Sequence, residues 1–182
     1  MKKIIGLIFI LCLSTEICFS ETRKLEGYDG LTWGTTLEEF KKLNPDAFEQ
    51  SSEEDNIRNE RLFFKEGKTV TRIYRFFDNK LYWGRTAYTN PSEATFMAIF
   101  EKLREEYGSF YDFNKGSEKD YDYSVSSWYV SSNLTVMLET RDFYNTYGRI
   151  IGSYAFITYQ NDKTRIEIEN YEKEQRKKNL EL

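Results

Sequence analysis

The residues of this chain that could carry chemistry are mainly acids and phenols. Aspartate and glutamate number 30 and tyrosine 14, histidine is absent, and the two cysteines are Cys12 and Cys18. Without histidine, a His-dependent triad, an HExxH metalloprotease site and an ordinary catalytic zinc site are excluded. The sequence also lacks the GxSxG, SxxK, GxGxxG and Walker motifs. We therefore expect no catalytic residue, no metal and no cofactor.

A pair of carboxylates is the catalytic arrangement that the composition leaves open. Glycoside hydrolases place two Asp or Glu side chains across the bond they cleave, and a chain with 30 acidic residues offers many pairs. No spacing distinguishes one of these pairs from the rest. A carboxylate-dependent hydrolase of cell-wall or extracellular glycans is thus the alternative hypothesis for the function.

One segment resembles the start of a calcium-binding loop. Asp120, Asp122 and Ser124 place oxygen ligands at alternate positions. In an EF-hand the sixth position is glycine and the twelfth is glutamate, whereas here they are Val125 and Ser131. The segment is therefore not an EF-hand, and loose surface binding of calcium is the alternative that stays open.

Aromatic side chains outside the predicted helices and strands are the candidate binding residues. Tyrosine is favoured at interfaces because it contributes a large contact area at a low entropy cost. Alternatively, such side chains fold back over the edges of the core. Trp33, Trp83 and Trp128 are expected to pack in the core rather than to bind a ligand. The predicted binding residues are Tyr111, Tyr121, Tyr123, Tyr144 and Tyr147.

Two helices are indicated by capping residues and apolar spacing. Thr36 and Glu39 form a capping box, and Leu37, Phe40 and Leu43 then recur on one helical face. A second helix is predicted to open at Asn90, with Pro91 in its first position and Gly108 at its end. Its buried stripe comprises Phe96, Ile99, Phe100, Leu103 and Tyr107.

Short runs rich in aromatic and β-branched residues predict the strands. Asp78-Asn79 supplies a hairpin turn between two of them. Residues 49–60 and 111–124 read as loops, and residues 165–168 as a short edge strand. The tail beyond carries opposite charges at helical spacing. The predicted strands are 62–64, 70–77, 81–88, 125–130, 134–140 and 150–159.

These elements predict an α+β fold, an antiparallel sheet with short helices packed on one face. The motif Leu-x-Trp-Gly-x-Thr occurs twice, from Leu31 and from Leu81, and each copy lies upstream of a predicted helix. Two α-β-β-β repeats would explain why the motif occurs twice, and coincidence in an aromatic-rich chain is the alternative.

Several of these motifs resemble those of small exported bacterial proteins. The group includes the β-lactamase-inhibitor-protein-like fold and the small outer-membrane lipoproteins of the barrel-assembly machinery, of the SmpA/OmlA-like kind. The resemblance implies short helices on one face of an antiparallel sheet, and proteins that bind partners rather than catalyse. It rests on residues 33–40, 76–81, 103–108, Trp128 and 134–136.

The N-terminal residues are typical of a cleavable signal peptide. Lys2 and Lys3 precede an apolar run over residues 4–13, and Ser20 provides a small residue before the cleavage point. A spanning helix would need about 20 apolar residues, which Glu16 interrupts. Lipidation at Cys18 is the alternative, and would place the protein on a membrane surface.

The predicted organisation is a signal peptide over residues 1–20, one α+β domain over 21–162, and a charged tail over 163–182. We expect an exported protein, periplasmic or extracellular, that acts as a non-catalytic binding module for an envelope protein or glycan. Nucleic acid is not an expected partner, because the net charge is −4 and charges of both signs are interleaved.

Cleavage after Ser20 yields a testable first prediction. The intact mass of the exported protein should correspond to a chain that begins at Glu21 and has no cysteine. A mass for an acylated chain that begins at Cys18 would contradict it.

Overall fold

The computed structural model describes residues 25–109 and 111–180, so the predicted signal peptide and Cys18 lie outside the described residues. These residues form ten strands and four helices. In chain order they are β1 (Gly27–Tyr28), β2 (Leu31–Thr32), α1 (Leu37–Leu43), β3 (Phe48–Glu49), α2 (Glu53–Ile57), β4 (Glu60–Glu66), β5 (Val70–Phe77), β6 (Lys80–Thr89), α3 (Glu93–Tyr107), β7 (Asp112–Ser117), β8 (Tyr121–Ser131), β9 (Leu134–Tyr144), β10 (Ile150–Asn161) and α4 (Asp162–Leu180).

Eight strands form one antiparallel sheet in the order β3-β4-β5-β6-β10-β9-β8-β7, which confirms the predicted α+β class. The order has an internal symmetry, because each half contributes four neighbouring strands that come after a helix, although α2 interrupts the strands of the first half. The first unit runs from α1 to β6 and the second from α3 to β10. The last strands of the two units, β6 and β10, pair at the centre of the sheet.

The core of the first half forms around one phenylalanine of α1. Phe40 is fully buried, and its ring centroid lies 4.8 Å from that of Tyr74 and 5.0 Å from that of Phe76. The predicted capping box is present, with the Thr36 hydroxyl accepting from the Glu39 amide. Leu43 shares the predicted apolar face but is 66% exposed, because this short helix ends at the rim of the sheet.

The core of the second half packs α3 on the same face of the sheet. Leu103 of α3 joins Trp128, Val136, Leu138 and Ile157, and the other residues of the predicted stripe pack around this cluster. The Trp128 indole donates to the carbonyl of Gly108, at the end of the helix, over 2.9 Å.

The start of α3 differs from the prediction. The N-cap is Ser92, whose hydroxyl accepts from the Thr95 amide, and not Asn90. Asn90 has a positive φ of 48° and its side-chain oxygen accepts from the Ser153 amide. It therefore turns the chain out of β6 rather than beginning the helix.

The predicted hairpin turn is confirmed. Asp78 and Asn79 have φ angles of 47° and 58°, the left-handed pair that a tight two-residue turn requires. The register then places Phe77 opposite Lys80.

The two predicted loops were wrong in part. Within residues 49–60, Ser52 and Asp55 form a capping box that starts α2. The apolar patterns did not predict α2 because this helix has only five residues. Within residues 111–124, β7 and the start of β8 form an antiparallel pair in which Ser117 lies opposite Asp122. Because β7 is an edge strand, most of its residues are polar, and no apolar pattern predicted this pair.

The predicted edge strand at residues 165–168 was also wrong, because these residues belong to α4. Ile168 is buried, and Tyr171 packs on Phe77 with ring centroids 5.9 Å apart. Phe77 projects from the face opposite α1 and α3. The alternating Ile and Glu residues thus form part of a helix that crosses one end of this second face.

The two Leu-x-Trp-Gly-x-Thr motifs occupy different positions. Gly34 has a φ of 86° in the turn before α1, whereas Gly84 lies inside β6. A Cβ on Gly84 would lie 2.1 Å from the ring of Tyr28, so glycine is required there by the β1-β2 hairpin that packs over it. The symmetry of the fold therefore does not rest on this motif.

Buried phenols make the fold sensitive to alkali, which gives the second prediction. Burial raises the pKa of Tyr159 to about 12, and raises the pKa values of Tyr28 and Tyr74 even further above the ordinary 10.0. Because the folded protein binds these protons more tightly than the unfolded chain does, their stabilising contribution is complete below about pH 10 and falls as the pH rises through 12.

We expect the free energy of unfolding to fall steeply above about pH 10, because the phenols exposed in the unfolded chain ionise there while the buried phenols of the folded protein keep their protons. Tyr159→Phe should reduce the steepness, whereas Tyr147→Phe should not, because Tyr147 is 86% exposed. Denaturant unfolding over a pH series measures the slope. Equal slopes in both variants and the wild type would contradict the prediction.

Candidate binding surface

The sheet has one face that its helices leave largely open. Side chains alternate between the two faces along each strand, and α1 and α3 both pack on the face that carries Tyr74 and Val136. We call the other one the open face. The register places on it a run of residues from β6, β10 and β9, among them Trp83, Arg85, Ala87, Thr158, Phe156, Tyr154, Glu139 and Arg141.

Helix α4 covers only one end of the open face. Its first residue, Asp162, accepts a 2.6 Å hydrogen bond from Thr135, and Glu172 pairs at 2.8 Å with Arg58, which follows α2. Under this end lies Glu60, which is 3% exposed and accepts from the hydroxyl of Tyr82. The helix therefore leaves the other end of the face accessible.

A groove occupies this accessible end. Its volume is about 530 Å³, and its lining contains aliphatic and aromatic side chains, two threonines and no carboxylate or amide side chain. We call it the open-face groove. Its lining residues are Phe64, Thr71, Ile73, Ala87, Thr89, Phe143, Ile151, Gly152, Tyr154 and Phe156.

Arginines stacked on aromatic rings border the groove. The guanidinium carbon of Arg85 lies 5.2 Å from the ring centroid of Trp83 and 5.0 Å from that of Phe156. The guanidinium of Arg141 lies 5.5 Å from the same Phe156 ring and 5.1 Å from that of Tyr121. Such stacking fixes each cation against an apolar surface.

One glutamate connects these two arginines. Glu139 lies 2.5 Å from Arg141 Nε and 3.4 Å from Arg85 Nη2. Burial lowers the pKa of Arg85, and the carboxylate of Glu139 opposes this effect. Because the ordinary arginine pKa is far above neutrality, the Arg85 guanidinium stays charged at neutral pH.

The turn between β9 and β10 extends the apolar surface beyond the sheet. Tyr147 is 86% exposed, Ile150 57% and Ile151 67%. We call these three residues the hairpin tip, and Ile151 also lines the groove. Large apolar side chains exposed beside a groove are typical of an interaction site.

Three of the five predicted binding residues lie on or beside this surface. Tyr121 and Tyr123 project from β8 onto the open face, in a strand rather than in the predicted loop. The Tyr121 ring centroid lies 5.1 Å from that of Phe143, a groove residue. Tyr147 belongs to the hairpin tip.

The other two predicted residues lie on the helix-covered face. Tyr111 packs on Trp128 and Phe100, with ring centroids 5.2 and 5.5 Å apart, so it folds back over the edge of the core. The Tyr144 hydroxyl donates to Asp122 over 2.9 Å, which raises the pKa of Tyr144. Hydrogen bonds with Ser117 and, to a smaller extent, with Tyr144 lower the pKa of Asp122. The structure does not bring all five tyrosines together.

Trp83 was predicted to lie in the core, and this was wrong. Trp128 is buried and Trp33 packs against both core clusters, but Trp83 is half-buried on the open face beneath Arg75 and Arg85. The sequence contains a signal for this face in β5, where Arg75 stands between two buried aromatic residues.

A second cavity contains carboxylates. Its volume is about 450 Å³, it lies on the helix-covered face, and its lining includes Glu26, Asp29 and Glu106. Asp29 pairs with Arg72 at 2.9 Å and accepts from the Tyr74 hydroxyl over 2.6 Å. Among the described residues, no group of three or more Asp, Glu, His or Cys side chains could hold a metal ion.

Comparison with known proteins gives no relative, since no family model, no curated protein and no solved structure matches the chain. The resemblance to small exported bacterial proteins therefore stays a prediction. Within residues 25–109 and 111–180, no helix has the length and apolar character needed to cross a membrane.

Proposed function

We propose that this protein is a non-catalytic, exported envelope module that binds another protein through its open face and hairpin tip. The observation that carries the proposal is the open-face groove, which joins an apolar lining to stacked arginines on a face that the helices leave accessible. Aromatic residues and arginine are the types that contribute most energy to protein interfaces.

The lining of the groove favours a protein over a glycan. Sugars present many hydroxyl groups that need donors and acceptors in a binding site, and unpaired polar groups cost free energy on burial. The groove offers few such partners, since the lining contains no Asp, Glu, Asn or Gln. A protein side chain, by contrast, fills an apolar groove without this cost.

The hydrolase alternative gains no support from the groove. Its mechanism requires two carboxyl groups facing one cleft, and the groove has none. Glu139, the nearest carboxylate on the row of arginines, is bound between Arg85 and Arg141. A docking surface fits these features better than a catalytic cleft does.

The third prediction compares two exposed apolar positions on opposite faces. Ile151→Asp places a charge in the groove lining, whereas Leu43→Asp places one at the rim of α1. The two side chains are 67% and 66% exposed, so neither change should unfold the domain. We expect Ile151→Asp to weaken binding at least about tenfold and Leu43→Asp to leave it unchanged.

The measurement starts from the partner that wild-type protein retains from an envelope extract, identified by mass spectrometry and then purified. Calorimetry or surface plasmon resonance gives the affinity of each variant, and thermal unfolding checks the fold. Equal affinity of Ile151→Asp and wild type would reject the open face as the docking surface. Retention of a glycan, or turnover of one, would reject the proposed function itself.

A further inference from the structure

We propose that the open-face groove receives a protein segment in which a bulky apolar side chain stands next to a carboxylate. The apolar side chain fills the groove, and the carboxylate pairs with Arg141. This inference rests on the proposed function and specifies the chemistry of the partner at the same site.

The apolar half of the recognition follows from the groove. Phe64 and Ile73 line its side in the first half of the sheet, while Phe156 and Phe143 line its side in the second. A volume of about 530 Å³ is within the range of sites that enclose a small ligand. The two sides of the groove would therefore shield an aromatic or large aliphatic side chain of the partner from water.

The charged half follows from an imbalance beside the groove. Arg85 and Arg141 both stack on the ring of Phe156, and both reach the same carboxylate of Glu139. One carboxylate balances one of two cations, so one positive charge is left next to an apolar wall. A partner carboxylate placed there would pair with this positive charge and accept hydrogen bonds from the planar guanidinium.

Arg141 is better placed than Arg85 to receive this carboxylate. Its side chain is 31% exposed, against 23% for Arg85. The Nε of Arg85 already donates to the Thr158 hydroxyl over 2.9 Å. Arg141 directs its Nε to Glu139, and a guanidinium carries five N–H donors in all.

A carboxylate stands beyond the opposite side of the groove. Glu66 ends β4 on the open face beyond Phe64, and it is exposed. It would repel an acidic residue on that side. The charge distribution therefore favours a segment whose carboxylate lies toward β9, where Arg141 stands, rather than toward β4.

The experiment selects partners from a phage library of random short peptides on the full domain. Wild-type protein should enrich peptides that carry Phe, Trp, Tyr, Leu or Ile within two residues of Asp or Glu. Selection on Arg141→Gln should keep the apolar preference and lose the acidic one. Arg104→Gln, which changes an arginine of α3 on the other face, should select the same peptides as wild type.

A double-mutant cycle then tests the pairing directly with the best acidic peptide from the wild-type selection. Arg141→Gln should weaken its binding about tenfold, as should replacing the peptide's acid by its amide. The two changes together should weaken binding no more than either alone. Arg141→Lys keeps the charge without the planar fork and should retain part of the affinity, and thermal unfolding verifies that each variant folds.

The outcomes separate this inference from the proposed function. Apolar peptides without acid enrichment, with binding lost in Ile151→Asp, would overturn the pairing with Arg141 and leave the docking surface standing. Additive effects in the cycle would also overturn the pairing. A selection that enriches no peptide dependent on Ile151 would overturn both.

Discussion

The pairing of β6 with β10 is the contact on which the rest of the structure depends. Seven residue pairs, from Tyr154 opposite Thr89 to Gln160 opposite Trp83, join the two halves into one sheet. Each half alone would be a small antiparallel sheet of four strands with a limited core. The groove lies across this seam, since Ala87 and Thr89 line it from β6 and Tyr154 and Phe156 from β10. The proposed binding surface therefore exists only when the halves are paired.

A broad sheet with one uncovered face must avoid uncontrolled association. The stacked arginines on the open face contribute to this, because they cover aromatic rings while keeping charge at the surface. The sheet edges are protected as well. β3 has only two residues, and β7 carries the exposed Asp112 and Lys115. Beside these charged positions, the groove and the hairpin tip present apolar side chains, which supports a defined docking site.

Much of the fold could be predicted because local signals and burial agreed. The capping box at Thr36, the turn at Asp78-Asn79 and the apolar stripe of α3 each specify an element without reference to the rest of the chain. β7 and α2 were missed because their few residues are polar and depend on neighbouring elements for their place. Ile168 was misassigned because alternating Ile and Glu residues fit a strand as well as they fit a helix with one buried side.

The candidate site was only partly predictable for a related reason. Tyr121, Tyr123 and Tyr147 could be chosen by residue type, but their relation to a groove depends on strand register, which joins residues distant in sequence. Phe64 and Phe143 illustrate this, since they line one groove from β4 and β9. Trp83 was assigned to the core because tryptophan is usually buried, whereas the neighbouring Arg85 in the same strand indicates the open face.

Site-specific photocrosslinking can show whether the partner contacts the open face. A benzophenone amino acid at Thr89, in the groove, is compared with the same group at Met97, which is 45% exposed on α3. We expect Thr89 to yield a covalent adduct with one protein partner in the cells that produce it, and Met97 to yield none. An adduct from Met97 with none from Thr89 would exclude the open face as the contact surface.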